Sequence, residues 1–213
     1  MTRVRTDISM SIDGYVAGPN QSEENPLGEG GMALHEWVFP LAVWRAANGD
    51  EGGETNASTP VLEAMNANVG AVIMGRNMFG GRGDWREHPW DGWWGADPPY
   101  HVPVFVLTHH EREPLVMKGG TTFNFVTDGP EAALAEAREV AGEQDVHVAG
   151  GARAVQQFLR AGLLDELRLH VVPVLLGSGE RLLDDLGDPP PVFELSGTVE
   201  APGVSHVTYR IVR

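Results

Sequence analysis

The sequence predicts an α/β fold with a mainly parallel central sheet, helices on both faces and antiparallel strands added at the C-terminus. Three observations predict it. Short apolar runs alternate with segments of helical spacing, the pattern that joins parallel strands through helices. Two of those runs stop at glycine where a helix begins: Val72-Ile73-Met74-Gly75-Arg76 and Val146-His147-Val148-Ala149-Gly150-Gly151. The last segments, 192–200 and 205–211, alternate as a hairpin pair. At 213 residues the chain is long enough for one well-buried domain, here expected over 1–213, and short for two.

The first strand, residues 3–11, alternates around Val4, Ile8 and Met10 and ends at the turn Asp13-Gly14, with a short strand expected at Tyr15-Val16-Ala17. Residues 18–59 are rich in Gly, Asn, Glu and Ser and read as long loops around one short helix near Trp37–Trp44. A helix opens with Thr59 as its cap and Pro60 in its first position, burying Val61, Leu62 and Met65. The strand 69–74 follows. Residues 82–99 are irregular and rich in Trp and Gly, before the strand 102–107 and a short one at 123–126. Asp128 and Glu131 have the spacing of a capping box for the helix Pro130–Ala141, which Gly142 ends. The strand 145–149, the helix 152–161 closed by Gly162 and the strand 166–174 complete the alternation.

Composition excludes several function classes. With 42% hydrophobic and 21% charged residues the chain is an ordinary globule. No apolar stretch approaches the ~20 residues that span a bilayer, and Met1-Thr2-Arg3-Val4-Arg5 is followed by Thr6-Asp7 rather than an apolar core, so a cytoplasmic protein without a membrane partner is expected. The absence of cysteine removes disulfides, thiol catalysis and cysteine-ligated zinc. A net charge of −15 repels a nucleic-acid backbone, and no basic stripe offsets it. An anionic ligand must therefore be held by local groups.

The glycine junctions supply such groups. Glycine lets the backbone approach an anion, and the free N–H groups of a first helical turn favour negative charge. Arg76 adds a fixed cation just past one strand, and Arg153 sits in the first turn after the other. Neither junction has the three spaced glycines of the dinucleotide fingerprint.

Read in order, Ser9-Met10-Ser11-Ile12-Asp13-Gly14-Tyr15-Val16-Ala17-Gly18, Val72-Ile73-Met74-Gly75-Arg76, Val104-Phe105-Val106-Leu107-Thr108, Val148-Ala149-Gly150-Gly151 and the run from Asp165 to Gly177 resemble the dihydrofolate reductase superfamily. More narrowly they resemble the branch that includes the reductase domain of the bifunctional riboflavin-biosynthesis enzyme. The resemblance implies a dihydrofolate reductase-like three-layer fold, a homodimer and NADPH as cofactor. It implies that Gly75, Arg76, Asn77, Met78, Leu107, Thr108 and His109 hold the adenosine and its phosphates, with Arg76 at the 2′-phosphate. Gly150, Gly151, Ala152 and Arg153 would hold the pyrophosphate, and Val16 and Ala17 would lie beside the nicotinamide. Gly177-Ser178-Gly179 matches the glycine-rich loop near the reacting centre. The cysteines of the zinc deaminase partner are missing, so a reductase domain alone is implied.

Substrate chemistry is read from fewer residues. Asp13 is the carboxylate for substrate contact or protonation, although an Asp-Gly pair is also a standard turn former. No residue matches the general acid of true dihydrofolate reductases. His35 is the second candidate for acid–base work; Phe39 stands where a zinc-protease helix would need its second histidine. Trp37 is expected in the substrate site or in the core. Trp85, Trp90, Trp93 and Trp94 either stack on a flat heterocycle, with Trp94 foremost, or pin their loop. Arg82 and Arg86 are spare cations for a ribose phosphate. No metal site is expected, since His109-His110 has no supporting carboxylates.

These readings converge on an NADPH-dependent oxidoreductase that transfers a hydride to a small heterocycle such as a pteridine or pyrimidine, folate and riboflavin-precursor reduction among them. Two others stay open: a nucleotide- or drug-binding protein of the same fold without turnover, and a reductase that uses a deazaflavin.

Overall fold

The computed structural model describes residues 2–81 and 83–212. In chain order the strands are β1 (Val4–Ser11), β2 (Tyr15–Ala17), β3 (Val69–Gly75), β4 (Pro103–Leu107), β5 (Leu115–Val116), β6 (Thr122–Val126), β7 (Asp145–Gly150), β8 (Glu166–Val172), β9 (Glu180–Arg181), β10 (Val192–Ala201) and β11 (Val204–Val212). The α-helices are α1 (Ala42–Ala47), α2 (Thr59–Asn66), α3 (Arg76–Phe79), α4 (Pro130–Ala141) and α5 (Ala152–Arg160), with single 3₁₀ turns at Gly31–His35 and Lys118–Gly120. The main sheet runs β10-β11-β8-β1-β7-β3-β4-β6-β5, and β2 pairs with β9 separately. Pairs β1–β7, β7–β3, β3–β4 and β4–β6 are parallel, whereas β5, β8, β10 and β11 add antiparallel pairings at the flanks.

The chain divides into two compact units. The first comprises Met1–Thr6, Asn68–Asp165 and Asp185–Pro191. Its central strands are apolar on both faces, as parallel strands covered by helices must be: Ala71, Val72, Ile73 and Met74 of β3 and Val104, Phe105 and Val106 of β4 are all buried. Helix α4 buries Ala133, Leu134, Ala137 and Ala141 and packs on β3 and β4. These small side chains let the backbones approach closely; a Cβ on Gly70 would come within 2.8 Å of Ala141 Cα. Arg5 is fully buried because Asp145 lies 3.5 Å from its Nε, and Arg3 reaches the same carboxylate. A buried cation needs such a partner.

The second unit comprises Asp7–Ala67, Glu166–Asp184 and Val192–Arg213. Its core is Leu34, Trp37, Val38, Leu41, Leu62, Val172 and Val204. A polar network is buried beside them. His170 of β8 and His206 of β11 stand opposite in the strand register with Nδ1 atoms 2.9 Å apart, and Ser58 Oγ lies 2.9 Å from His206 Nε2.

Several local expectations are corrected. Thr59 is the first residue of α2 rather than its cap; its hydroxyl accepts from the Asn56 N–H, while Ser58 precedes the helix with its own hydroxyl on His206. Helix α4 is preceded by Gly129 and has no side-chain cap bond, so Asp128 and Glu131 form no capping box. The 18–59 segment holds a 3₁₀ turn ending at His35 as well as α1, and β8 stops at Val172 because the Val174 N–H turns back to the Val172 carbonyl.

Candidate functional site

In the first unit, parallel pairing of β3 with β7 sets Met74 against Gly150. That register brings together the two glycine junctions, which are far apart in sequence. A Cβ on Gly75 would meet Ala154 Cβ at 3.4 Å, Gly150 O at 3.7 Å and Gly151 N at 3.8 Å. A Cβ on Gly151 would meet nothing within 4 Å. The Gly150–Gly151 peptide is cis. Helix α5 has no side-chain cap, and its first closing bonds run from the Ala154 and Val155 N–H groups to Gly151 O. The start of α5 therefore combines open space, an uncapped helix end and the exposed Arg153, while Ala152 is buried beneath it. These residues fit the pyrophosphate of a dinucleotide.

Arg76 opens α3, which is only four residues long and contributes no dipole of consequence. Its guanidinium carbon lies 3.1 Å from the centre of the Trp85 ring, and its nitrogens donate to Gly80 O at 3.0 Å, Gly83 O at 3.3 Å and Thr108 Oγ1 at 3.5 Å. Arg76 is thus a fixed, half-buried cation rather than a solvated one. Burial, and then the neighbouring Arg112, lower its pKa to about 10, so it stays charged at neutral pH. Leu107 is buried, Asn77 and His109 are exposed, and Met78 is half-buried with its carbonyl accepting from Trp93 Nε1.

The tryptophan-rich loop resolves in favour of pinning. Trp85, Trp90 and Trp93 donate their indole N–H groups to His110 O, Phe79 O and Met78 O. Trp94 stacks on Phe123 and meets Tyr100 and Phe79, inside the aromatic core of this unit. Of the two expected roles, this half-buried ring is seen in the pinning one, with Phe123 stacked on one of its faces. Arg86 is exposed, and Arg82 lies outside the described residues.

In the second unit, Asp13 is a clamp. Ser11 Oγ donates to its Oδ1 at 2.5 Å, the Leu176 N–H to Oδ1 at 3.2 Å and the Gly177 N–H to Oδ2 at 2.7 Å. The Ser11 hydroxyl foremost, aided by the two amides, holds its pKa below the usual carboxylate range. A carboxylate so arranged is ionised and cannot donate a proton near pH 7. It fixes the loop Gly177-Ser178-Gly179, whose Gly179 packs on β2 so closely that a Cβ there would meet Ala17 O at 2.1 Å. Val16 and Ala17 are buried, and Ser178 is exposed at the loop.

His35 closes the 3₁₀ turn with its Nδ1 sealed from solvent, and burial lowers its pKa, so the ring is neutral. Trp37 is buried, donates to Ser9 Oγ at 3.1 Å and packs against the rings of His170 and His206. It is a core residue. Sequence reading missed this histidine pair; the signal was the placement of His170 and His206 on two strands read as otherwise apolar and alternating. Among the described residues no cluster of His, Asp and Glu is arranged to hold a metal, and no helix is long and apolar enough to cross a membrane.

Known proteins share this architecture. A Shewanella sp. PV-4 protein named for riboflavin biosynthesis aligns over 100% of both chains at 22% identity, with a TM-score of 0.65. The Thermotoga maritima diaminohydroxyphosphoribosylaminopyrimidine deaminase/5-amino-6-(5-phosphoribosylamino)uracil reductase aligns over 99% of this chain at 14% identity and TM-score 0.56; this chain spans 57% of that one. Dihydrofolate reductase from Enterococcus faecalis, solved with NADP(H), aligns over 99% of this chain and 97% of its own at 12% identity and TM-score 0.54. At these identities the likeness is one of fold. Two curated relatives, both uncharacterized proteins of Bacillus subtilis, are matched over 35% and 81% of their lengths at 36% and 21% identity. The sequence profile described as the RibD C-terminal domain matches residues 2–202, and the chain therefore belongs to the RibD C-terminal domain family, with the dihydrofolate reductase-like fold.

Proposed function

We propose that this protein is an NADPH-dependent oxidoreductase that transfers a hydride to a small heterocycle, a pteridine, a pyrimidine or a related ring. The observation that carries the reading is the meeting of Gly75 with Gly150 and Gly151 at an uncapped helix start, beside space that a Cβ would enter without contact. The family supports a reductase, and the named relatives include a uracil reductase and an enzyme solved with NADP(H). In this reading Gly75, Gly150, Gly151, Ala152 and Arg153 bind the pyrophosphate, and Arg76 and Thr108 bind the adenosine end. When bound, the nicotinamide supplies the hydride. Asp13 holds the Gly177–Gly179 loop, which with Val16 and Ala17 is assigned to the reacting end. Riboflavin-precursor reduction needs a cation for a ribose phosphate, and the exposed Arg86 is available for it.

The protein is proposed to act as a homodimer. The ten-residue strand β10 supports this: it lies at the sheet edge with Val192, Leu195 and Val199 exposed. Light scattering on the purified protein gives the mass.

A second reading, ligand binding without turnover, is favoured by the spent carboxylate of Asp13 and the neutral ring of His35. Titration of tryptophan fluorescence with NADPH, NADH and an oxidised deazaflavin, followed by NADPH oxidation across a panel of pteridines and pyrimidines, separates the readings. Saturable NADPH binding with turnover supports the reductase, and binding without turnover across the panel favours the second reading. Binding of the deazaflavin alone would replace the cofactor.

A further inference from the structure

We infer that the second unit takes a flat, uncharged ring and rejects the same ring bearing a phosphate, with Ile12 and Leu175 holding the ring and the unit's negative charge setting the selectivity. The inference rests on the reductase reading above and names the substrate class of its reacting end.

Charge is divided unevenly between the two units. The second carries 15 Asp and Glu against 5 Arg, a net of −10 within the chain's −15, whereas the first holds ten of the fifteen cations. The described arginines of the second unit are engaged: Arg168 pairs with Glu166 and Asp7, Arg181 with Asp184 and Arg210 with Glu194, while Arg45 donates to the Glu51 carbonyl. His35 and His206 are held neutral by burial. Carboxylates, by contrast, stand at the loop assigned to the reacting end. Asp13 accepts from the Leu176 and Gly177 amides, and Glu180 lies opposite Ala17 in the β2–β9 register. A phosphate brought here meets like charge and gives up its hydration for no cation of this unit.

The same place offers apolar surface. Ile12 follows β1, and its N–H donates to Val174 O at 3.2 Å, which sets it alongside the segment that follows β8. Val174 and Leu176 pack on the core of Leu34 and Trp37, while Leu175 between them is 72% exposed and Ile12 is 59% exposed. Single exposed apolar side chains are ordinary on a protein surface. These two flank the clamp: Ile12 precedes Asp13, Leu175 precedes Leu176, and the Leu176 N–H donates to Asp13 Oδ1. They also stand just past the carboxyl ends of their strands, where open α/β sheets take ligands. A flat ring laid on the two side chains removes apolar area from water and brings no charge towards Asp13.

The test is equilibrium dialysis of the intact protein against two matched pairs, riboflavin with riboflavin 5′-phosphate and uridine with uridine 5′-phosphate. NADP+ is present in excess so that the glycine junctions of the first unit are occupied. The neutral member of each pair should bind at least about tenfold more tightly than the phosphorylated one. The ratio should narrow between about 0.05 and 0.5 M salt, because screening weakens the repulsion. It should narrow again in Asp13→Asn, which a mere loosening of the loop would not cause. Ile12→Thr and Leu175→Thr should each weaken both members about fivefold through lost apolar contact, with the mass by light scattering unchanged. Equal or tighter binding of the phosphorylated member overturns the inference, and loss of that preference in Arg86→Gln would assign the phosphate to the first unit. A Leu175→Thr protein of altered mass and unaltered ring affinity also overturns it, since a second copy then covers the patch, as does failure of every neutral ring to bind. Failure of NADP+ itself to bind, measured separately, removes the reductase reading and leaves the ring comparison to stand or fall on the Ile12 and Leu175 variants.

Discussion

Gly75 and Gly151 are neighbours: a Cβ on the first would stand 3.8 Å from the backbone nitrogen of the second, although 76 positions separate them in sequence. Parallel pairing of β3 and β7 makes the contact, and the same pairing aims both strand ends at the start of α5. The sheet register thus gathers the backbone groups that an anion needs.

Gly151→Val follows from that arrangement. Its φ of −77° suits any L-residue, and a Cβ there meets nothing within 4 Å, so the folded protein should lose well under 1 kcal/mol. The valine would instead occupy the space over the helix end. NADPH binding should fall by more than tenfold with the thermal midpoint nearly unchanged, as read by fluorescence titration and calorimetry. Unaltered affinity would remove the cradle.

This junction was legible because glycine after an apolar run is a local signal, and the long strands and α4 and α5 were legible from their periodicity. What the sequence did not disclose depends on contacts across the fold. The Asp128–Glu131 spacing matched a capping box, but the chain enters α4 through Gly129 and no such bond forms. Trp94 in a Gly/Pro-rich loop looked available, yet Phe123 from a distant strand takes its face. His170 and His206 belong to two strands whose register alone reveals that they meet.

Asp13→Asn should loosen the glycine loop rather than remove an acid. The substitution weakens an acceptor for Ser11 Oγ and for the Leu176 and Gly177 amides. Hydrogen exchange at those two amides should accelerate by about tenfold, with global stability nearly preserved because the contacts are at the surface. If exchange is unchanged while turnover is lost, Asp13 acts on the substrate directly.

Trp37→Phe separates a core role from a substrate role. It keeps a ring against His170 and His206 but strands the Ser9 hydroxyl that accepts the indole N–H. The cost should be about 1 to 2 kcal/mol, seen as a lower urea midpoint, with KM unchanged. A rise in KM at constant stability would return Trp37 to the substrate site.

The histidine pair makes stability depend on pH with a sign fixed by burial. Burial pushes the pKa of His206 down to about 4, whereas an unfolded histidine titrates near 6.5. Between those values the unfolded chain binds the proton and the folded one does not, so stability rises with pH there. The contribution is complete above about pH 6.5 and is lost progressively as pH falls towards 4. The groups facing the pair include Ser58 on His206, Asp7 at 4.0 Å from His170 Nε2, and Arg168 at 3.6 Å from Asp7; a second proton on the pair places two cations in contact beside that carboxylate. Urea midpoints measured from pH 7.5 to 4 should fall for the wild type. His206→Gln, less stable at pH 7, should show a shallower decline, and parallel curves for the two proteins would show that another group sets the acid limit.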